Sequence, residues 1–134
     1  MTNQPADILW TSGWDSTFRM LDLLLRQHRT VRPHYIVDPG RPSADTELQT
    51  IAKLRAAIEP RLSDGVTLLP TEVTNRPDID ADDTISQAWE RLTQKHPLGE
   101  QYEWIARYAA MRNLTGLELS VHIDDRAYQF LDQR

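Results

Sequence analysis

The residues best suited to chemistry fall in one short stretch, Thr11-Ser12-Gly13-Trp14-Asp15-Ser16-Thr17. It follows the apolar run ILW and precedes the helical pattern FRMLDLLL. Thr11, Ser12 and Gly13 are small, so a ligand can approach the backbone closely. Gly13 can adopt a positive φ at little steric cost. Asp15, Ser16 and Thr17 stand where a helix should begin, and their side chains can cap its open N–H groups. The same N–H groups and the helix dipole also favour an anion. The stretch therefore reads either as a phosphate cradle or as a plain capped turn, and the pattern alone leaves both open.

The elements that must position it follow from the apolar periods. Residues 8–12 read as a first buried strand, and residues 15–28 as a helix with Phe18, Leu21, Leu24 and Leu25 on one face, widened by Leu23. Residues 34–38 (HYIVD) read as a second strand. PGRPS is a turn with Ser43 as N-cap, and the helix after it carries Leu48, Ile51, Ala52, Leu54 and Ile58. Residues 66–73 read as a third strand that Pro70 weakens or moves to an edge. A loop leads to a helix over residues 84–95, with Ile85, Trp89 and Leu92 on one face. Another helix spans residues 100–113, and residues 117–123 (LELSVHI) form the fourth strand.

This β-α-β-α-β-α-α-β order predicts an α/β fold, with a three-layer, doubly wound, mostly parallel sheet of four to five strands. In such sheets ligands bind outside the carboxyl ends of the strands, near a switch in strand order. Three polar clusters are expected on that rim: TSGWDS, DPGRPS and HIDD. Among their residues, Arg41 is either a phosphate contact or a solvated loop arginine. His122, on an apolar strand, fits a hydrogen-bonded core histidine better than a ligand. His28, His34 and His96 are scattered and receive no role.

TSGWDS resembles the pyrophosphate loop of the PP-loop ATP pyrophosphatases, written SGGxDS, within the adenine nucleotide alpha hydrolase-like superfamily of Rossmann-like folds. Thr11 stands at the family's Ser, Ser12 at its first Gly and Gly13 at its second. Trp14 fills the free position, and Asp15 and Ser16 match. SVHIDDRAY loosely resembles the GHxxDDxxET pattern of some members, with one residue fewer between His122 and the pair Asp124-Asp125, and no Glu-Thr. WDSTFRMLDLL is similar in flavour to the 7-cyano-7-deazaguanine synthase branch, whose zinc-binding cysteines this chain lacks. The resemblance covers most of the chain in element order and is specific at residues 11–17.

The resemblance implies ATP as cofactor, cleaved between its α and β phosphates to adenylate a small-molecule or nucleobase-like substrate, with release of pyrophosphate. The alternative is a nucleotide-binding module without chemistry, or a subunit of a larger complex. Backbone N–H groups around Ser12 to Asp15, with the Ser16 and Thr17 hydroxyls, would hold pyrophosphate. Asp15 would orient Mg²⁺ or hold the loop. Magnesium takes one or two carboxylates plus phosphate oxygens and waters, so Asp124 and Asp125 are further candidates, or else they cap a helix starting at Arg126. Val37 would read the adenine edge through its backbone. Asp38 would meet a ribose hydroxyl or merely begin the turn at Pro39-Gly40. Trp14 would cover the nucleotide or pack on neighbouring helices.

Composition bounds the rest. The chain has 134 residues, which suits one domain. Its net charge of -5 argues against a protein that tracks nucleic-acid phosphates. With no cysteine, disulfides and thiolate metal sites are excluded. No basic n-region or membrane-length apolar run is present, so a cytoplasmic location is expected. Little chain follows the fourth strand compared with the family, which implies a minimal form or one piece of an assembly. The helix over residues 100–113 has two apolar stripes, Tyr102, Ile105, Ala106 and Ala109 on one side and Trp104, Tyr108 and Met111 on the other. Either it is sandwiched inside the fold, or the second stripe packs on a partner subunit, most simply in a homodimer.

Overall fold

A computed structural model describes residues 4–40, 42–96 and 99–119. They divide into two compact units: residues 4–77 with 116–119, and residues 78–115.

The first unit is an α/β unit built on a parallel sheet in the order β1-β2-β3. β1 is Ala6–Leu9, β2 is Val31–Val37 and β3 is Glu72–Asn75. Leu9 lies opposite His34, and Val37 opposite Asn75. On β1, the amides of Ala6 and Trp10 donate to Thr30 and His34, toward β2. Leu9 N donates to Glu118 O at 3.0 Å, and Glu118 N donates to Asp7 O at 2.9 Å. Because successive amides of a strand point to opposite sides, Glu118 flanks β1 on the edge away from β2. Its bridge to Ile8 is parallel. Residues 120–123 of the expected fourth strand, with His122, lie outside the described residues.

Helix α1 (Trp14–Leu21) continues into one π turn, Asp22–Arg26, closed by Gln27 N donating to Asp22 O. Its buried face is Ser16, Met20, Leu23 and Leu24. Leu23 and Leu24 of the expected face are buried and Leu21 packs on the core, but Phe18 is 62% exposed and Leu25 is also exposed, which corrects those two. Two bonds between side chains of the helix start and the end of β1 fix the helix rotation. Trp10 Nε1 donates to Thr17 Oγ1 at 2.9 Å, and Thr11 N donates to Ser16 Oγ at 3.2 Å. With Ser16 and Thr17 held toward the strand, Phe18 turns outward.

Helix α2 (Ala44–Ile58) adds Ile51 and Ile58 to a core with Ala6, Ile8, Trp10, Met20, Leu23, Leu24, Val31, Tyr35 and Leu68. Ser43 occupies the N-cap position without a side-chain cap bond, and Ala52 is exposed. Pro70, with no N–H to donate, splits the expected third strand. Leu68 makes an isolated bridge to Val31, and pairing resumes only at Glu72. Arg55 of α2 covers the gap, donating to Leu68 O at 2.9 Å, Leu69 O at 2.6 Å and Thr71 Oγ1 at 3.0 Å.

The second unit holds α3 (Asp83–Lys95) and α4 (Gln101–Met111). Asp82 caps α3, its Oδ1 accepting from Ile85 N at 3.1 Å. Arg107 of α4 donates to Glu103 Oε2 and to the carbonyls of Ile79 and Asp80. Ile105 and Tyr108 are buried, while Tyr102, Trp104, Ala109 and Met111 are half-buried. Ala106 of the first expected stripe is exposed. No helix among the described residues is long and apolar enough to cross a membrane.

Candidate functional site

The carboxyl ends of β1, β2 and β3 form the rim on which the expected site residues meet. With Leu9 opposite His34, the turn after β1 begins level with Ile36 and Val37. With Val37 opposite Asn75, Asp38 comes level with Arg76. Parallel neighbours lie about 4.8 Å apart, so the three loops share one edge of the first unit.

Ser12, not Gly13, carries the left-handed backbone of the turn, with φ of 67°. Gly13 is extended, at φ -75° and ψ 169°, as the N-cap of α1. An N-cap must leave the helix in an extended conformation, so the reversal in direction falls on the residue before it. This overturns the expectation that Gly13 supplies the positive φ. It also puts the strain on the residue that stands at the first Gly of SGGxDS.

The N-cap position of α1, Gly13, makes no side-chain cap bond. Ser16 is 4% exposed, and its hydroxyl serves the turn. Ser16 Oγ accepts from Thr11 N, lies 3.3 Å from Thr11 Oγ1, and donates to Gly13 O at 3.4 Å. Thr17 Oγ1 accepts the Trp10 indole N–H. A hydroxyl that accepts keeps its own proton to donate, so Thr17 can serve a further acceptor. Thr11 and Gly13 are exposed, and Ser12 and Asp15 are half-buried. Asp15 is already engaged within the fold. A helix start left without a side-chain cap retains its attraction for an outside anion.

Trp14 is 79% exposed and pairs with Phe18, ring centroids 6.2 Å apart and planes tilted by 35°. It does not pack into the core. Val37 is half-buried at the end of β2. Asp38 both begins the turn, with Oδ1 accepting from Gly40 N at 3.0 Å, and faces Arg76 Nη1 with Oδ2 at 3.3 Å. Arg41, Asp124 and Asp125 lie outside the described residues. Among the described residues no three of His, Asp and Glu gather into a metal-ligand set.

Three polar groups went unrecognised in the sequence. Arg76 joins the rim only through the β2-β3 register, which no local pattern reveals. Arg19 Nε donates to Glu118 Oε1 at 2.7 Å and Nη1 to Asp22 Oδ2 at 2.8 Å. The hydrogen bond to Glu118 raises the guanidinium pKa further, so Arg19 is a permanent charge between α1 and the strand edge. Asp7 Oδ1 meets both Arg32 Nε and buried His34 Nε2 at 2.8 Å. The signal for that cluster was present as polar residues at alternate positions, 7 on one strand and 32 and 34 on the next. Starting the second strand at His34 had left Arg32 outside it.

Comparison with known protein families, with curated proteins and with solved structures finds no match.

Proposed function

We propose that the chain binds ATP in the manner of a PP-loop protein and cleaves it between the α and β phosphates. The observation that carries this is the left-handed backbone at Ser12, followed at once by a helix start without a side-chain cap. The exposed Gly13 lets a phosphate approach its backbone, and the Thr17 hydroxyl adds a donor. Glu118 on one edge of β1 and β2 on the other support a doubly wound, Rossmann-like sheet whose order switches at β1, where this turn lies.

In the proposed reaction a substrate oxygen attacks the α-phosphorus. The bond from that phosphorus to the bridging oxygen breaks, and pyrophosphate leaves with its electron pair. The substrate is left adenylated, ready for displacement of AMP by a nitrogen or sulfur nucleophile. The protein's share is positioning and charge stabilisation. The loop amides and Thr17 hold the departing pyrophosphate. Asp15 fits the modest demand of Mg²⁺ for one or two carboxylates beside phosphate oxygens. Bound there, the ion would neutralise charge building on the leaving group. Ser16 keeps the turn in shape, since its hydroxyl is bonded inward.

Calorimetric titration of ATP, AMP and pyrophosphate into wild type and Asp15→Ala, with and without Mg²⁺, tests the site. ATP should bind in a magnesium-dependent way, and Asp15→Ala should weaken it at least about tenfold, equal to about 1.4 kcal/mol. No ATP binding to wild type overturns the proposal. The inward Ser16 hydroxyl favours a second reading, a nucleotide-binding module without chemistry. Tight ATP binding with no pyrophosphate release across candidate substrates selects it.

A further inference from the structure

Trp14 and Phe18 are the two most exposed large apolar side chains among the described residues, at 79% and 62%. Their rings pair, centroids 6.2 Å apart. Leu25 follows on the π turn, 39% exposed. Intervals of four and seven put the three on one side of the helix, away from buried Ser16, Met20, Leu23 and Leu24. Covering this stripe would remove roughly 400 Å² per copy from water, and the neighbouring stems bring a symmetric contact to roughly 1,000 Å² in all, enough for a weak dimer.

The charges on α1 set the direction of a second copy. Asp15 stands in the first turn. Arg26 ends the π turn, 81% exposed, and Arg29 follows, also exposed. Arg26 donates from Nε to Asp22 Oδ1 at 2.9 Å, which leaves its other N–H groups for a further contact. A parallel neighbour would set these arginines against their own copies. An antiparallel neighbour sets them against Asp15 and the open face of Trp14, where a guanidinium is attracted. It also lays the helix dipole beside an opposed one. We infer that the outer face of α1 is where two copies of this chain pair, antiparallel about a two-fold axis level with Met20. Leu25 and Arg26 of one copy then cover Trp14 of the other, and the two Phe18 rings meet near the axis. Such a contact uses the same patch on both copies and closes at two chains. It stands independently of the nucleotide reading.

Sedimentation of wild type from about 1 µM to about 1 mM should show the mass rising from one chain to two, with a Kd of about 10–100 µM. Phe18→Asp puts charge at the axis and should stay monomeric throughout, with an unchanged circular dichroism spectrum because Phe18 faces solvent. Arg26→Glu should weaken pairing at least about tenfold. Lys53→Glu, at an exposed position of α2, should pair like wild type. The chain has no cysteine, so single introduced thiols read the orientation. Antiparallel pairing brings Gly13 of one copy level with Gln27 of the other and keeps like positions about 21 Å apart along the helix. A short bismaleimide should therefore join an equal mixture of Gly13→Cys and Gln27→Cys, but neither variant alone. Wild type that stays monomeric at about 1 mM, or that pairs no better than Phe18→Asp, overturns the inference. A mixture that gains no cross-link over the separate variants overturns it too.

Discussion

Two tryptophans four residues apart divide the turn after β1 between them. Trp10 is wholly buried beside Ile8 and Met20, and its indole N–H is bonded to Thr17. Trp14 begins α1, 79% exposed, touching Phe18. The first satisfies both halves of its chemistry inside the fold. The second leaves a large apolar surface in water at the helix start, where folding gains nothing from it. The difference teaches which residues of this rim are structural and which are surplus to structure.

The comparison breaks most visibly through stability. Trp10→Ala removes a large buried side chain and the bond that sets the rotation of α1, so it should cost about 3–5 kcal/mol. Trp14→Ala should change stability by no more than about 0.5 kcal/mol. Urea denaturation of both variants reads the contrast directly. Equal losses would mean that Trp14 is part of the core after all.

The same contrast holds for charged groups. In the body of the sheet, Asp7 serves Arg32 and His34 at once, and His34 is wholly buried. At the rim, Asp38 and Arg76 remain partly open. Asp7→Ala removes the carboxylate shared by buried His34 and part-exposed Arg32 and should cost about 1–2 kcal/mol. Arg76→Gln should cost at most about 1 kcal/mol. Thermal unfolding of the two variants would sharpen the distinction, and a larger loss for Arg76→Gln would make the rim pair structural.

Local chemistry explains why some of this was legible in the sequence. The alternation of apolar runs and helical periods marked α2, α3 and α4 to within about two residues, because each has its own period and breakers. The first two strands were found, but β1 ends at Leu9 and β2 begins at Val31, since pairing with a neighbour rather than propensity sets strand ends. Pro70 announced its break in the third strand. On α1, Leu23 and Leu24 are buried and Leu21 packs on the core as expected, whereas Phe18 and Leu25 are exposed because the bonds of Trp10 and Thr11 to Thr17 and Ser16 turn Ser16 and Met20 inward. At the site, residues 11–17 stood out by composition. Arg76 could not, because its partner is 38 positions away and only register joins them.

The smallest expected effect separates Ser12 from Gly13. A serine held at φ 67° carries strain that a glycine would not. Ser12→Gly relieves that strain but adds chain entropy to the unfolded state, so it should stabilise by about 0–1 kcal/mol. Gly13 has an ordinary φ, and a Cβ there would come no closer than 3.4 Å, to Thr11 Oγ1. Gly13→Ala should therefore leave stability unchanged within about 0.5 kcal/mol. The two substitutions part company on ligand. The alanine methyl would stand on exposed backbone where a phosphate is proposed to approach, so Gly13→Ala should weaken ATP while Ser12→Gly preserves it. Chemical denaturation and ATP titration on the same two proteins give both answers. A Gly13→Ala protein that binds ATP as tightly as wild type would move the phosphate off this turn, even with the backbone geometry of Ser12 intact.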